Sequence, residues 1–264
     1  MSGISLPLIG LPNNSDMSFF SRLFSGKPKL DPLDMSVIGT DMHSHLIPGI
    51  DDGSKSMEES LAMLQRFADM GYKKIITTPH VMSDFYKNTP EIILSGLEDV
   101  RKAIAENSIN IEIDAAAEYY HDYHLRELIE KEQVLTFGQK HVLFELSFNE
   151  EPPGVKESIF ELTTSGYKPV LAHVERYPFY FNQWDKIEDY KIRGVLLQMN
   201  INSLSGQYGP QVKKMAEQLI DRDWIDVIGS DCHHMGHLEL LDSMRRNPYL
   251  HKIAAKADLL NKTL

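Results

Sequence analysis

The chain has 264 residues, of which 42% are apolar and 25% charged, enough to bury the core of one large domain. Its net charge of −11 excludes a nucleic-acid binder, which needs an excess of Lys and Arg to meet phosphates. The single cysteine, Cys232, excludes a disulfide framework and places the chain in the reducing cytoplasm; no run of about 18 apolar residues exists to span a membrane.

Residues 1–35 are rich in Pro, Gly, Ser and Asn and read as a flexible N-terminal tail, with an aromatic and basic patch, "MSFFSRLFSGKPK". The folded domain is expected over 36–264. It opens with a buried strand, "VIGTDMHSH". A helix follows from Ser56, whose spacing to Glu59 is that of a capping box, and Gly71 closes it. "KKIITTPH" is a second strand, followed by a helix with Thr89 as cap and Pro90 at its first position. "NIEIDAAAEYY" is a third strand with a helix near 123–133, and "HVLFELSF" a fourth with a helix near 155–165. "KPVLAHVERY" is a fifth with a short helix near 185–192, and "GVLLQMNINSL" a sixth with a helix near 210–222. "IDVIGSDCHH" is the seventh, and helices near 236–246 and 249–262 finish the chain. Strands alternating with helices imply parallel, right-handed units, and strands this apolar must be covered on both sides. A closed α/β barrel fits this pattern better than an open sheet.

In such a barrel the active site lies at the carboxyl ends of the strands. Those ends carry His43, His45 and the following Asp52 (first strand), His80, Glu118, Glu145, His173, and finally Asp231 with His233. The sixth strand ends in the neutral Asn200 and Asn202. Each feature alone has an ordinary explanation: a Glu at a strand end is usually solvated, and Asp before Gly is common turn chemistry. Six of seven strands ending in a metal-capable residue is not ordinary. His121, His124, His141 and His251 fall outside the pattern, and Cys232 should face the opposite side of its strand.

Nine ligands exceed one zinc site, so two metals with a bridging carboxylate, or three metals, are expected. His with Asp and Glu, without thiolate, suits Mn²⁺, Zn²⁺ or Fe. Multi-metal centres serve phosphoester hydrolysis, and Arg176 is the natural cation for a phosphate, the competing use being a salt bridge with Glu175 or another carboxylate. A cysteine phosphatase would need Arg six residues after Cys232, where Leu238 stands. A phosphoaspartyl route would need Asp-x-Asp at a strand end, whereas Asp221 and Asp223 fall at a helix end.

In this order, "DMHSH", "PGIDDG", "TTPH", "AEYY", "LFELSF", "HVERY" and "GSDCHH" resemble the PHP (polymerase and histidinol phosphatase) superfamily. Over about residues 37–245 they are most similar to the bacterial manganese-dependent protein-tyrosine phosphatases of capsule and exopolysaccharide loci. The resemblance implies a distorted seven-stranded TIM-like barrel and a metal-dependent phosphoric monoester hydrolase that uses metal-activated hydroxide. It implies a centre of three Mn²⁺ ions held by His43, His45, Asp52, His80, Glu118, Glu145, His173, Asp231 and His233, with Glu145 as the bridge and Arg176 on the phosphate. The implied partner is a phosphotyrosine-bearing protein, a membrane-associated tyrosine kinase. Two positions depart from the family: Val174 stands where Pro is usual, and a further Arg after the last His is missing, leaving His234, His237 or Arg245 to replace it. Alternatives are a PHP-type phosphatase of a small phosphoester such as histidinol phosphate, or a non-catalytic metal-binding scaffold. Homo-oligomer formation stays open.

Overall fold

The structure, a computed structural model, describes residues 30–264. The patch over 17–29, and with it most of the expected tail, lies outside the described residues. Tertiary packing is in place by Leu33, whose N–H donates to the Arg245 carbonyl at 2.8 Å, and Met35 is fully buried.

Helices form where the sequence signals them. In α1 (Met57–Met70) the Ser56 side chain accepts from Glu59 N, and Gly71 ends the helix at φ 106°. Its Met63, Leu64, Phe67 and Met70 are buried, each worth about 1.5–3 kcal/mol of apolar transfer. In α2 (Pro90–Glu106) Thr89 caps Ile92 N. The outer layer continues with α3 (Tyr123–Glu130), α4 (Val155–Thr164), α5 (Trp184–Ile192), α6 (Pro210–Asp221), α7 (Met235–Met244) and α8 (Pro248–Ala254). The helix expected to run to 262 stops at Ala254, and a 3-10 turn follows at Leu260–Thr263. That turn brings Leu260 N to the Asp226 carbonyl at 3.0 Å.

The seven expected strands become nine segments among the described residues. They are β1 (Thr40–Asp41), β2 (Lys74–Thr77), β3 (His80–Val81), β4 (Glu112–Ala115), β5 (Glu118–Tyr120), β6 (His141–Glu145), β7 (Lys168–Leu171), β8 (Leu196–Asn200) and β9 (Val227–Gly229). They pair in parallel as β1-β2-β4 and β3-β5-β6-β7-β8-β9. The second expected strand is interrupted between β2 and β3, where Pro79 has no N–H for a ladder. The third is interrupted beside it, yet Ala116 N still reaches the Thr77 carbonyl at 2.9 Å and Glu118 N the Pro79 carbonyl at 3.1 Å.

The first and last strands meet along a seam. An isolated parallel bridge joins Ser44 to Cys232, Asp231 N donates to the His43 carbonyl (2.8 Å), and His45 N donates to the Cys232 carbonyl (2.9 Å). Lower down, the buried Asp41 carboxylate accepts from both the N–H and the hydroxyl of Ser230 (2.8 and 2.9 Å). At the far end buried Asn261 spans the two strands: its Nδ2 donates to the Thr40 and Ile228 carbonyls, and its Oδ1 accepts from Ile228 N. Gly229 permits the close approach, since a Cβ there would lie 2.6 Å from the His43 Cβ.

Beneath the strand ends a small apolar cluster gathers Met42, Ile76, Ala116, Phe137, Leu143, Val170, Ala172 and Val227, with Leu260 and Leu264 packed against it. Leu143 lies two residues before Glu145 on the same face of β6, so the strand that carries a site carboxylate also carries the apolar support below it. Asn261→Ala would strip the seam of its side-chain bridge and leave buried backbone groups unpaired. It should lower the unfolding free energy by about 1–3 kcal/mol, measured by urea denaturation of the metal-free protein.

Candidate metal centre

His43 and His45 follow β1 with period 2 and enter the same space, fully buried. The loop beyond folds back on them: Ser54 N donates to the His45 carbonyl at 3.0 Å. Gly53 is required there, because a Cβ would stand 2.2 Å from that same carbonyl oxygen. His173 and Asp231 sit just past β7 and β9 with φ of 32° and 50°, a left-handed backbone that is unfavourable for residues with side chains and is typical of functional sites.

All nine ligand candidates surround one space. The centre is Glu118, whose Oε2 lies 3.1 Å from His43 Nε2, 3.5 Å from His45 Nε2 and 3.2 Å from His80 Nδ1. Its other oxygen is 3.0 Å from His173 Nε2. Asp231 Oδ1 is 3.5 Å from both His43 Nε2 and His45 Nε2. Glu145 Oε1 is 3.2 Å from His80 Nδ1, and Asp52 Oδ1 is 3.3 Å from His233 Nε2. Three groups have donor atoms all within 4.8 Å of one another: His45, Asp52, His80 and His233; His43, His45, Glu118 and Asp231; and His80, Glu118 and Glu145. His45, His80 and Glu118 each belong to two groups. Among the carboxylates Glu118 is common to two of these groups and Glu145 belongs to one, while His173 belongs to none of the three.

The donor set passes a test for metal binding on its own geometry. His43 Nε2, His45 Nε2, His80 Nδ1 and Glu118 Oε2 are buried and make no hydrogen bond, although they face one another. Native interiors rarely leave such atoms unpaired unless they serve an ion. The opposite ring nitrogens are held from behind: His45 Nδ1 contacts Asp51 Oδ2 at 2.7 Å, and His43 Nδ1 contacts Gln198 Oε1 at 3.2 Å. Outer hydrogen bonds of this kind fix the tautomer so that the inner nitrogen can ligate.

The electrostatics are reciprocal. Burial alone would lower the His80 imidazole, but Glu118 and Glu145 outweigh it and hold it at about 9. Burial alone would raise the Glu118 carboxyl, yet His43 and His80 bring it well below the usual carboxylate range. Asp231 behaves in the same way, with burial overcome by His43 and His45.

Arg176 stands at the rim and pairs with Asp231 rather than Glu175, NH1 to Oδ2 at 2.8 Å. Its guanidinium carbon lies 4.8 Å from the Phe148 ring centroid and 4.4 Å from that of Tyr208. Glu175 instead accepts from Asn200 N and the Ser203 hydroxyl. The neutral end of the sixth strand also serves the site, since Asn200 Nδ2 donates to Asp231 Oδ2 at 2.8 Å. Cys232 points away from the site, its Sγ 3.7 Å from Met63 Sδ. Arg245 is turned to the Leu33 carbonyl and Asp242, whereas His234 and His237 line the cavity. His121 reaches Ser158, His141 the Phe137 carbonyl and His251 the Arg245 carbonyl, all outside the cavity lining.

Asp51, Gln198, Phe148 and Tyr208 escaped the sequence reading. Asp51 has a signal in the sequence, the doubled acid of "PGIDDG" that it shares with Asp52. The other three gave none, because their partners are far away in the chain.

The model of the family "Capsular polysaccharide synthesis, CpsB/CapC" matches residues 39–258. The chain belongs to this family. Among curated relatives, the tyrosine-protein phosphatase CpsB of Streptococcus pneumoniae is 29% identical over 216 residues, covering 80% of this chain and 86% of that protein. The tyrosine-protein phosphatase YwqE of Bacillus subtilis is 26% identical over 196 residues, 74% and 77% of the two chains. A crystal structure from the study of these two metal-dependent tyrosine phosphatases matches with a TM-score of 0.74 at 24% identity, covering 85% of this chain and 90% of that one. Histidinol phosphate phosphatase of Lactococcus lactis shares the fold at a TM-score of 0.50 and 13% identity, over 86% and 95%.

Asp51→Ala would free the outer nitrogen of His45. It should weaken metal binding about 10- to 100-fold, read by competition with a metal-sensitive dye.

Proposed function

We propose that the chain is a metal-dependent protein-tyrosine phosphatase acting on a phosphotyrosine-bearing protein. The observation that carries this reading is a guanidinium beside three overlapping groups of ligand-type side chains, most of which line one cavity of about 730 Å³ with His43 and His45 buried behind its wall. His43, His45, Asp52, His80, Glu118, Glu145, His173, Asp231 and His233 are the residues that would hold metal, as three Mn²⁺ ions in our reading. When bound, such ions supply Lewis-acid stabilisation of phosphoryl oxygens and a water-derived nucleophile at neutral pH.

The chain's own residues do the rest. Arg176 offers a planar fork to the phosphate oxygens, and Phe148 and Tyr208 hold it flat without competing for its donors. Asp231 and Asn200 fix its orientation from below. His234 and His237 stand on the cavity wall where Arg245 does not reach, and are the candidates for a second substrate contact. Tyr86, Tyr120, Phe148 and Tyr208 also line the cavity, a wall suited to an aromatic ring. The tyrosine-phosphatase relatives of this family favour phosphotyrosine over histidinol phosphate, and the ligand-type groups beside a cation speak against a scaffold without chemistry.

The finer fold reading is a distorted seven-stranded barrel over residues 36–264, supported by the Ser44–Cys232 bridge and the Asn261 seam. We place the enzyme in the cytoplasm, with a membrane-associated tyrosine kinase as partner, on the strength of the capsular-polysaccharide family. No helix among the described residues is long and apolar enough to cross a membrane.

The deciding measurement is metal content together with hydrolysis of a phosphotyrosine peptide, a phosphoserine peptide and histidinol phosphate, with Mn²⁺ supplied. Preference for the phosphotyrosine peptide is expected; preference for histidinol phosphate would move the function to small-molecule metabolism. His80→Ala and Glu145→Ala should lose metal and activity together. Arg176→Ala should keep its metal and lose about 10²-fold or more in kcat; wild-type turnover in that variant would remove Arg176 from the mechanism.

A further inference from the structure

Beside the metal cavity lies a second groove of about 430 Å³. Phe148, Arg176 and Tyr208 line both, so the partition between them is one side chain thick. On its far side the groove is lined by Pro178, Phe181 and Val212, with Pro210 and Gln211 at the start of α6. Among its lining residues only Arg176 is charged, and that charge is engaged by Asp231 and covered by two rings. What the groove presents is therefore mainly apolar surface.

Its walls are stiff. The Pro178–Tyr180 turn is closed by Phe181 N on the Pro178 carbonyl, and Tyr180 is tied by its hydroxyl to Glu151. Gly209 N bonds the Gly206 carbonyl immediately before Pro210 sets the first turn of α6. A preformed apolar groove gains binding energy without the cost of ordering itself.

We infer that this groove is a specificity subsite that takes an apolar side chain two residues from the phosphotyrosine of a protein substrate. The inference rests on the phosphotyrosine reading above. In an extended peptide, residues two apart point to the same side about 7 Å from each other. A phosphotyrosine in the cavity thus sends its second neighbour across the Phe148–Arg176–Tyr208 partition. A small phosphoester has no group to place there.

The test is steady-state kinetics of the metal-loaded full chain on free phosphotyrosine and on phosphotyrosine peptides. The peptides carry Leu, Asp, Lys or Gly two positions before or after the phosphotyrosine. Leu on one side should raise kcat/KM about tenfold over Gly, chiefly through KM. Val212→Lys should abolish that preference and favour Asp at the same position, leaving free phosphotyrosine turnover unchanged. Gln211→Glu, on the exposed first turn of α6, should shift the preference toward Lys and guards against a folding defect in the first variant. Equal turnover of all peptides by the wild type would overturn the subsite and leave the phosphatase reading standing. Failure to turn over any phosphotyrosine substrate, free or peptide, would overturn both.

Discussion

Glu118 is a fully buried carboxylate with imidazoles around both of its oxygens: His43, His45 and His80 within 3.5 Å of one, and His173 at 3.0 Å from the other. Removing a carboxylate from water costs several kcal/mol, which only close, well-placed partners offset. Those partners come from just past β1, from the start of β3 and from just past β7, so the burial of one carboxylate constrains three separate parts of the chain. The interruption at Pro79 and the left-handed backbone at His173 and Asp231 are local departures from regular strand that this convergence accommodates. Gly53 and Gly229 belong to the same constraint, since a side chain at either would collide with His45 or His43.

Around the donors lies a second layer that turns loose proximity into direction. Asp51 bonds His45 and also accepts from the backbone N–H groups of Gly53 and His80, so one carboxylate ties the β1 loop to β3. Gln198 accepts from His173 N at 2.6 Å while contacting His43, linking β7 to β1 through β8. A donor held from behind has little freedom to reorient onto a neighbouring group, which is why buried nitrogens and a carboxylate oxygen can face each other without a hydrogen bond.

The substrate side answers a different problem. A chain of net charge −11 repels a phosphorylated partner at long range. A guanidinium fixed at the cavity rim offers a local cation against that charge, held by Asp231 and restricted in its motion by rings on either side. The same rings form the partition to the neighbouring groove, so charge placement and peptide recognition share one piece of structure.

Much of this was legible in the residues. Ser56 with Glu59, Thr89 with Pro90, and Gly71 mark helix ends through contacts a few residues long, and the period-2 spacing of His43 and His45 needs only a strand. Strand-end chemistry was legible because parallel β/α units direct every carboxyl end to one rim. The tertiary structure alone shows that Glu118 is the carboxylate common to two of the three groups of donor atoms. It alone decided that Arg176 meets Asp231 instead of its neighbour Glu175, and that Asn261 closes the seam 221 residues from Thr40. Local periodicity sets which face a side chain occupies; distances between faces follow from how strands from distant parts of the chain stack, and no short-range pattern encodes them.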